Sequence, residues 1–76
     1  MPINVLFFGP LAEIGGSRIE MPLVASVLEL EAVLYEKFPQ LKEKKYVVSV
    51  NKKMIAENAQ LHDGCTVALL PPFSGG

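Results

Sequence analysis

Apolar positions along this chain fall into two rhythms, and the change between them divides it. In residues 3–8 everything but Asn4 is apolar, and most of it is β-branched or aromatic. That content predicts a strand whose two faces are Ile3/Val5/Phe7 and Asn4/Leu6/Phe8. Gly9-Pro10 breaks it. Residues 11–14 fit one helical turn closed by Gly15-Gly16, and Arg18–Met21, stopped by Pro22, predicts a second strand. The period then becomes helical. Val27, Leu30, Leu34, Phe38 and Leu41 recur on one stripe, Val33 widens it, and Glu29, Glu31 and Glu36 fall mainly on the other side. Ser26 and Glu29 have the spacing of a capping box, in which each side chain bonds the other's amide. Pro39 disfavours helical geometry at Phe38, so the helix ends there or just before. A period of two returns in residues 46–50. Asn51-Lys52 follows as a hairpin turn, with Asn51 suited to a left-handed conformation, and residues 53–56 form a short fourth strand. Residues 57–62 read as irregular or a 3₁₀ turn, Asp63-Gly64 as a tight turn, and residues 65–70 as the last strand.

One capped helix of about twelve residues, roughly 18 Å long, covers one face of a small sheet. With four to five strands in the order β β α β β β, the economical architecture is an α+β β-grasp, or ubiquitin-like, fold. In it a mixed sheet grasps the helix and the C-terminal strand lies beside the first. Residues 1–70 form this domain and residues 71–76 an extended tail. Val67 and Leu69 of the last strand then face the helix with Ile3, Val5 and Phe7, while Thr66, Ala68 and Leu70 face away with Leu6 and Phe8. A sheet with one solvated face normally alternates apolar-in and polar-out. Here Leu6, Phe8 and Leu70 break that rule on the outer face, beside the point where the tail leaves. An apolar excess gathered on one face reads as an interface.

Composition removes several classes of function. The chain has 76 residues, half of them hydrophobic, with seven basic and eight acidic side chains and a formal net charge of −1. That balance argues against a nucleic-acid partner. The basic run Lys42-Glu43-Lys44-Lys45 is interrupted by an acid and reads as a solvated loop. The single cysteine, Cys65, leaves no internal disulfide, and with one histidine, His62, there is no metal-ligand set. Cys65 reads as a small buried residue at the start of a strand. Gly15-Gly16 lacks the spacing of a phosphate-binding loop. The apolar N-terminal run is too short for a signal or membrane segment and has no basic flank, so no membrane partner is expected and the cytoplasm is the expected compartment.

The remaining candidate chemistry is in the tail "PPFSGG". Pro71-Pro72 fixes an extended course and removes two backbone donors, so strand pairing cannot continue through it. Six extended residues reach up to roughly 20 Å. Gly75 and Gly76 have no side chains and could thread a narrow channel. No Ser/His/Asp set, metal cluster or carboxylate pair exists elsewhere, so by elimination the reactive group is the carboxylate of Gly76. A carboxylate is a poor electrophile until adenylation by ATP makes it a mixed anhydride. This chain has no nucleotide-binding motif, so a partner must supply that step, and no cofactor is bound by the chain itself.

The segments "VLFFG" at Val5 and "LHDGCTVALLPPFSGG" from Leu61 onward, together with the β-grasp order, resemble the MoaD-like small subunits of molybdopterin synthase within the ubiquitin-like sulfur carriers. The resemblance spans the chain. It implies a subunit without catalysis of its own: an adenylating enzyme of the ubiquitin-activating type activates Gly76, and a persulfide converts it to a thiocarboxylate. The tail then enters the large subunit and donates sulfur to cyclic pyranopterin monophosphate. It also implies that Gly75 and Gly76 carry the chemistry and that Phe8, Met54 and Leu70 contact the partner. Cys65 stands where the family usually has an acid, and Asn51-Lys52-Lys53 lacks the usual glycine. Phe73 is bulkier than the usual tail residue; it either alters the fit of the tail or anchors it to the partner. A thiamine-pathway sulfur carrier and a ubiquitin-like protein modifier share the fold and the activation step, and are the alternative readings.

Overall fold

The structure, a computed structural model, describes residues 2–55 and 58–72. Phe73, Gly75 and Gly76, the expected tail chemistry, lie outside the described residues, as does Ala56, the expected end of the fourth strand.

Five strands form one mixed sheet in the order β2-β1-β5-β3-β4. They are β1 (Ile3–Phe7), β2 (Arg18–Met21), β3 (Val47–Val50), β4 (Lys53–Ile55) and β5 (Thr66–Leu70). β1 pairs antiparallel with β2 and parallel with β5, and β3 pairs antiparallel with both β5 and β4. The first and last strands are therefore central neighbours, as the β-grasp reading expected. The helix α2 (Val27–Lys37) lies across one face. A shorter helix, α1 (Ala12–Gly15), and two 3₁₀ turns, Gly9–Leu11 and Pro39–Glu43, complete the fold.

The core sits between α2 and the inner sheet face. Ile3, Val5, Phe7, Val67 and Leu69 are buried against Val27, Leu30 and Leu34, which follow from the two rhythms in the sequence. Fully burying one such side chain stabilises by about 1.5–3 kcal/mol. Three donors at the start of α2 are satisfied: Ser26 Oγ accepts from the Glu29 amide, Asn58 Oδ1 from the Leu28 amide, and the Ala59 carbonyl from the Val27 amide. Ser26 is thus the cap expected from the capping box, with residues 58 and 59 as additional, long-range caps.

Several boundaries differ from expectation for local reasons. β1 ends at Phe7 because Gly9 turns left-handed (φ 57°), although the Phe8 amide still bonds the Leu69 carbonyl at 3.1 Å. Pro10 in the first turn starts the 3₁₀ segment two residues earlier than expected. Leu41, fully buried, reaches the core from its own 3₁₀ turn rather than from the helical stripe. The hairpin turn is as expected, and Lys52 (φ 71°) adopts the left-handed conformation beside Asn51 (φ 50°) without a glycine. Cys65 is buried, and its amide bonds the His62 carbonyl at 3.1 Å to close the Asp63-Gly64 turn, so β5 starts one residue later. Gly15 is closely packed: a Cβ there would stand 3.0 Å from Phe7 Cζ and 3.3 Å from Phe38 Cζ, so those rings would have to shift to admit one.

One polar strut ties the segment before β3 to the helix. Tyr46 donates to Glu31 on α2 and its hydroxyl also bonds that of Tyr35. Burial first, then these two hydrogen bonds and the Glu31 charge, push the Tyr46 phenol well above the usual tyrosine range. A group held protonated in the folded state contributes stability below its unfolded pKa, near 10, and loses it as pH rises further. The melting temperature of the wild type should therefore fall more steeply above about pH 10 than that of Tyr46→Phe, which has no proton to lose there. Parallel curves would show that the phenol does not contribute.

Candidate docking face at the root of the tail

The outer face of the sheet is assembled by strand register. Leu6 pairs with Ala68, Ala68 with Ser49, and Ser49 with Met54, so these four form one row across β1, β5, β3 and β4. All four point away from α2, because their neighbours Val5, Val67 and Val48 fill the core. One pairing step further along, beyond Phe7–Leu69, Phe8 comes beside Leu70, and Leu70 also pairs with Val47. Small side chains therefore occupy the centre of the face and large apolar ones its rim. The result is an open concavity of about 540 Å³.

Phe8 is 43% and Met54 54% exposed, against an essentially dry Ser49 at 6%. Leu6 and Leu70 are half-buried. At one end of the face Asn51 closes the β3–β4 turn onto β5, its side-chain oxygen accepting from the Thr66 amide at 2.9 Å. At the other end β5 runs from Leu70 directly into Pro71-Pro72, so the tail leaves from the apolar rim.

The structure thus brings together Phe8, Leu70 and Met54, three of the residues expected at a partner surface. Phe73, Gly75 and Gly76 are not placed with them, being outside the described residues. Sequence reasoning set Ala68 on this face but missed Ser49, the other half of its floor. The signal was present in the alternation Val-Ser-Val, as in Val-Ala-Leu, where a small residue separates two core positions.

A second concavity, about 590 Å³, lies on the helix side between α2 and the β3–β4 edge. Its tyrosine hydroxyls and the Glu31 carboxylate are bonded to one another, so it reads as the structural strut described above. Among the described residues no helix is long and apolar enough to cross a membrane, and no group of three or more His, Cys, Asp or Glu is placed to hold a metal ion.

A mixed sheet grasping one helix, with the last strand central and leading into a proline-stiffened tail, defines a ubiquitin-like β-grasp protein. The chain belongs to the ThiS family, whose profile matches residues 5–76. A relative named molybdopterin synthase sulfur carrier subunit, from Caenorhabditis briggsae, is 31% identical over 81 residues, covering 97% of this chain and 96% of the relative. A chain in the solved complex of subunits 1 and 2 of molybdopterin-converting factor from Helicobacter pylori 26695 is 33% identical with a TM-score of 0.75, each chain being covered completely. The small archaeal modifier protein 1 of Methanosarcina acetivorans, at 22% identity and a TM-score of 0.82 over 99% of this chain and 96% of its own, shares the fold. The resemblance to molybdopterin synthase small subunits read from the sequence is borne out.

Proposed function

We propose that this chain is the sulfur-carrier subunit of a molybdopterin synthase, non-catalytic alone and active through the carboxylate of Gly76. The observation that carries the reading is the apolar outer face of Phe8, Leu70 and Met54 at the root of the Pro71-Pro72 tail, in a member of the ThiS family. A face of that kind holds a large catalytic subunit, and the tail carries its end into that subunit's pocket. The pairing of subunits 1 and 2 in the Helicobacter pylori complex supports a partner of this kind.

The chemistry proceeds in three balanced steps. A Gly76 carboxylate oxygen attacks the α-phosphorus of ATP in an adenylating partner, giving an acyl adenylate and releasing pyrophosphate. The terminal sulfur of a persulfide then attacks the acyl carbon and AMP leaves; a thiol cleaves the resulting S–S bond, leaving a thiocarboxylate and a disulfide. In the large subunit the thiocarboxylate sulfur bonds to a side-chain carbon of the pterin precursor as a C–O bond at that carbon breaks. Water then attacks the acyl carbon of the resulting thioester, the C–S bond to the acyl group breaks, and the chain leaves as the original carboxylate. A second thiocarboxylated chain supplies the second sulfur. ATP is consumed by the partner, and the chain itself binds no cofactor.

Incubation with an adenylating enzyme, ATP and a persulfide donor should raise the mass of the intact chain by the difference between sulfur and oxygen. The product should then convert cyclic pyranopterin monophosphate to the dithiolene with the large subunit present. A thiocarboxylated chain that sulfurates only a thiazole precursor would assign it to thiamine synthesis. Isopeptide conjugates without sulfur transfer would assign it to protein modification.

A further inference from the structure

We infer that Gly9 is a positioning residue: it seats Pro71 and thereby fixes the direction in which the tail leaves the domain. β1 and β5 run parallel with Phe7 opposite Leu69, so continuing the register sets Gly9 opposite Pro71. β1 cannot continue there. Gly9 turns left-handed at φ 57° into the 3₁₀ turn Gly9–Leu11, while the Phe8 amide still bonds the Leu69 carbonyl at 3.1 Å. The turn clears the space beside β5, and the Pro71 ring fills it. A Cβ added to Gly9 would stand 3.2 Å from Pro71 Cγ, 3.6 Å from Cδ and 4.0 Å from Cβ. The ring therefore packs against the bare Cα of Gly9, and any side chain there pushes it away.

Two independent constraints thus fall on one residue pair. Backbone conformation favours glycine at position 9, and so does the approach of the proline ring. The φ > 0 requirement alone would be met by asparagine, which tolerates that region. The ring contact would not. By comparison, Gly16 and Gly64 also have positive φ, but a Cβ on either would meet nothing within 4 Å. Crowding from the tail root is specific to Gly9 among these three.

The consequence follows from leverage. Pro71 and Pro72 transmit direction because their φ is fixed by the ring. The remaining residues are tethered to that root, so its direction sets the region from which the Gly76 carboxylate must reach the reacting centre. Misplacement of a reacting group by 1 Å can reduce a rate about 100-fold. A seat at Gly9 thus acts on transfer while leaving the docking face, Phe8, Leu70 and Met54, in place.

The kinetic arm of the test rests on the sulfur-donor reading; the structural arm does not. Gly9→Asn keeps the left-handed turn and adds the Cβ. With the chain thiocarboxylated and the large subunit in excess, single-turnover sulfur transfer by Gly9→Asn should fall at least about 10-fold, with circular dichroism and docking affinity close to wild type. Adding Pro71→Ala removes the obstructing ring atoms, so Gly9→Asn/Pro71→Ala should transfer at the rate of Pro71→Ala alone. In the free protein, proton NMR should show a cross-peak between Gly9 Hα and Pro71 Hγ that disappears in Gly9→Asn. Unchanged transfer by Gly9→Asn, a loss that Pro71→Ala does not relieve, or a loss that only tracks weaker docking overturns the seat. So does a missing cross-peak in the wild type. If the wild type transfers no sulfur at all, the sulfur-donor reading fails instead, and the cross-peak alone decides for or against the seat.

Discussion

A chain extended beyond Gly76 by a few residues should transfer no sulfur, while folding and docking as the wild type does. In the proposed chemistry adenylation, persulfide attack and thiocarboxylate formation all use the terminal carboxylate, and a peptide bond at Gly76 removes that group. The amide oxygen that replaces the carboxylate is neutral and a weak nucleophile toward the α-phosphorus, and the new terminal carboxylate stands several residues beyond the position at which Gly76 would be activated. The loss is therefore complete rather than graded. Folding should not follow it, since among the described residues the buried cluster runs from Ile3 to Leu69. Intact-mass measurement after incubation with the adenylating enzyme, ATP and persulfide should show sulfur gained by the wild type and none by the extended chain. Thermal melting should overlay. Dithiolene formation by the extended chain would overturn the assignment of the carrier to Gly76.

The scaffold was legible in the sequence because its signals are periodic and local. Strand parity placed Ile3, Val5, Phe7, Val67 and Leu69 inward and Leu6, Phe8 and Leu70 outward, and the burial pattern agrees at every one of these positions. Ser26 and Asn51 were readable for the same reason: each acts within a few residues of itself or through its own backbone conformation. What was not legible depends on contacts between segments distant in the chain. Asn58 caps a helix thirty residues away, and Tyr46 is held by Glu31 and Tyr35; neither has a spacing signature. Gly9 read as a strand breaker, and only the parallel pairing of β1 with β5 brings it to Pro71. Met54 came from family resemblance alone, since a three-residue strand has too few positions for a pattern. The register through Ser49 is what sets it on the same face as Leu6.

Parity also separates two effects that the same substitution can have on one strand. Phe8→Asp and Leu70→Asp place a carboxylate on the outer face, where the free domain leaves it in water. Phe8 is already 43% exposed, so little native burial is lost and folding should be retained. If the partner docks on the apolar rim as proposed, the carboxylate must be desolvated without a compensating charge. Losing a buried aromatic or leucine contact already costs about 1.5–3 kcal/mol, and an unpaired charge adds several more. Affinity for the large subunit should therefore fall at least about 100-fold, the scale of a central interface residue. Val5→Asp and Leu69→Asp put the same charge into the core, at positions 0% and 1% exposed, three residues before Phe8 and one before Leu70. Those chains should not fold at all. Circular dichroism reads the first difference and titration calorimetry with the large subunit the second. Unfolding by all four variants would mean that the outer face is needed for stability, and undiminished affinity of Phe8→Asp and Leu70→Asp would move the interface elsewhere. Folded Phe8→Asp and Leu70→Asp chains that fail to dock, beside unfolded Val5→Asp and Leu69→Asp chains, would locate the partner on the face from which the tail departs.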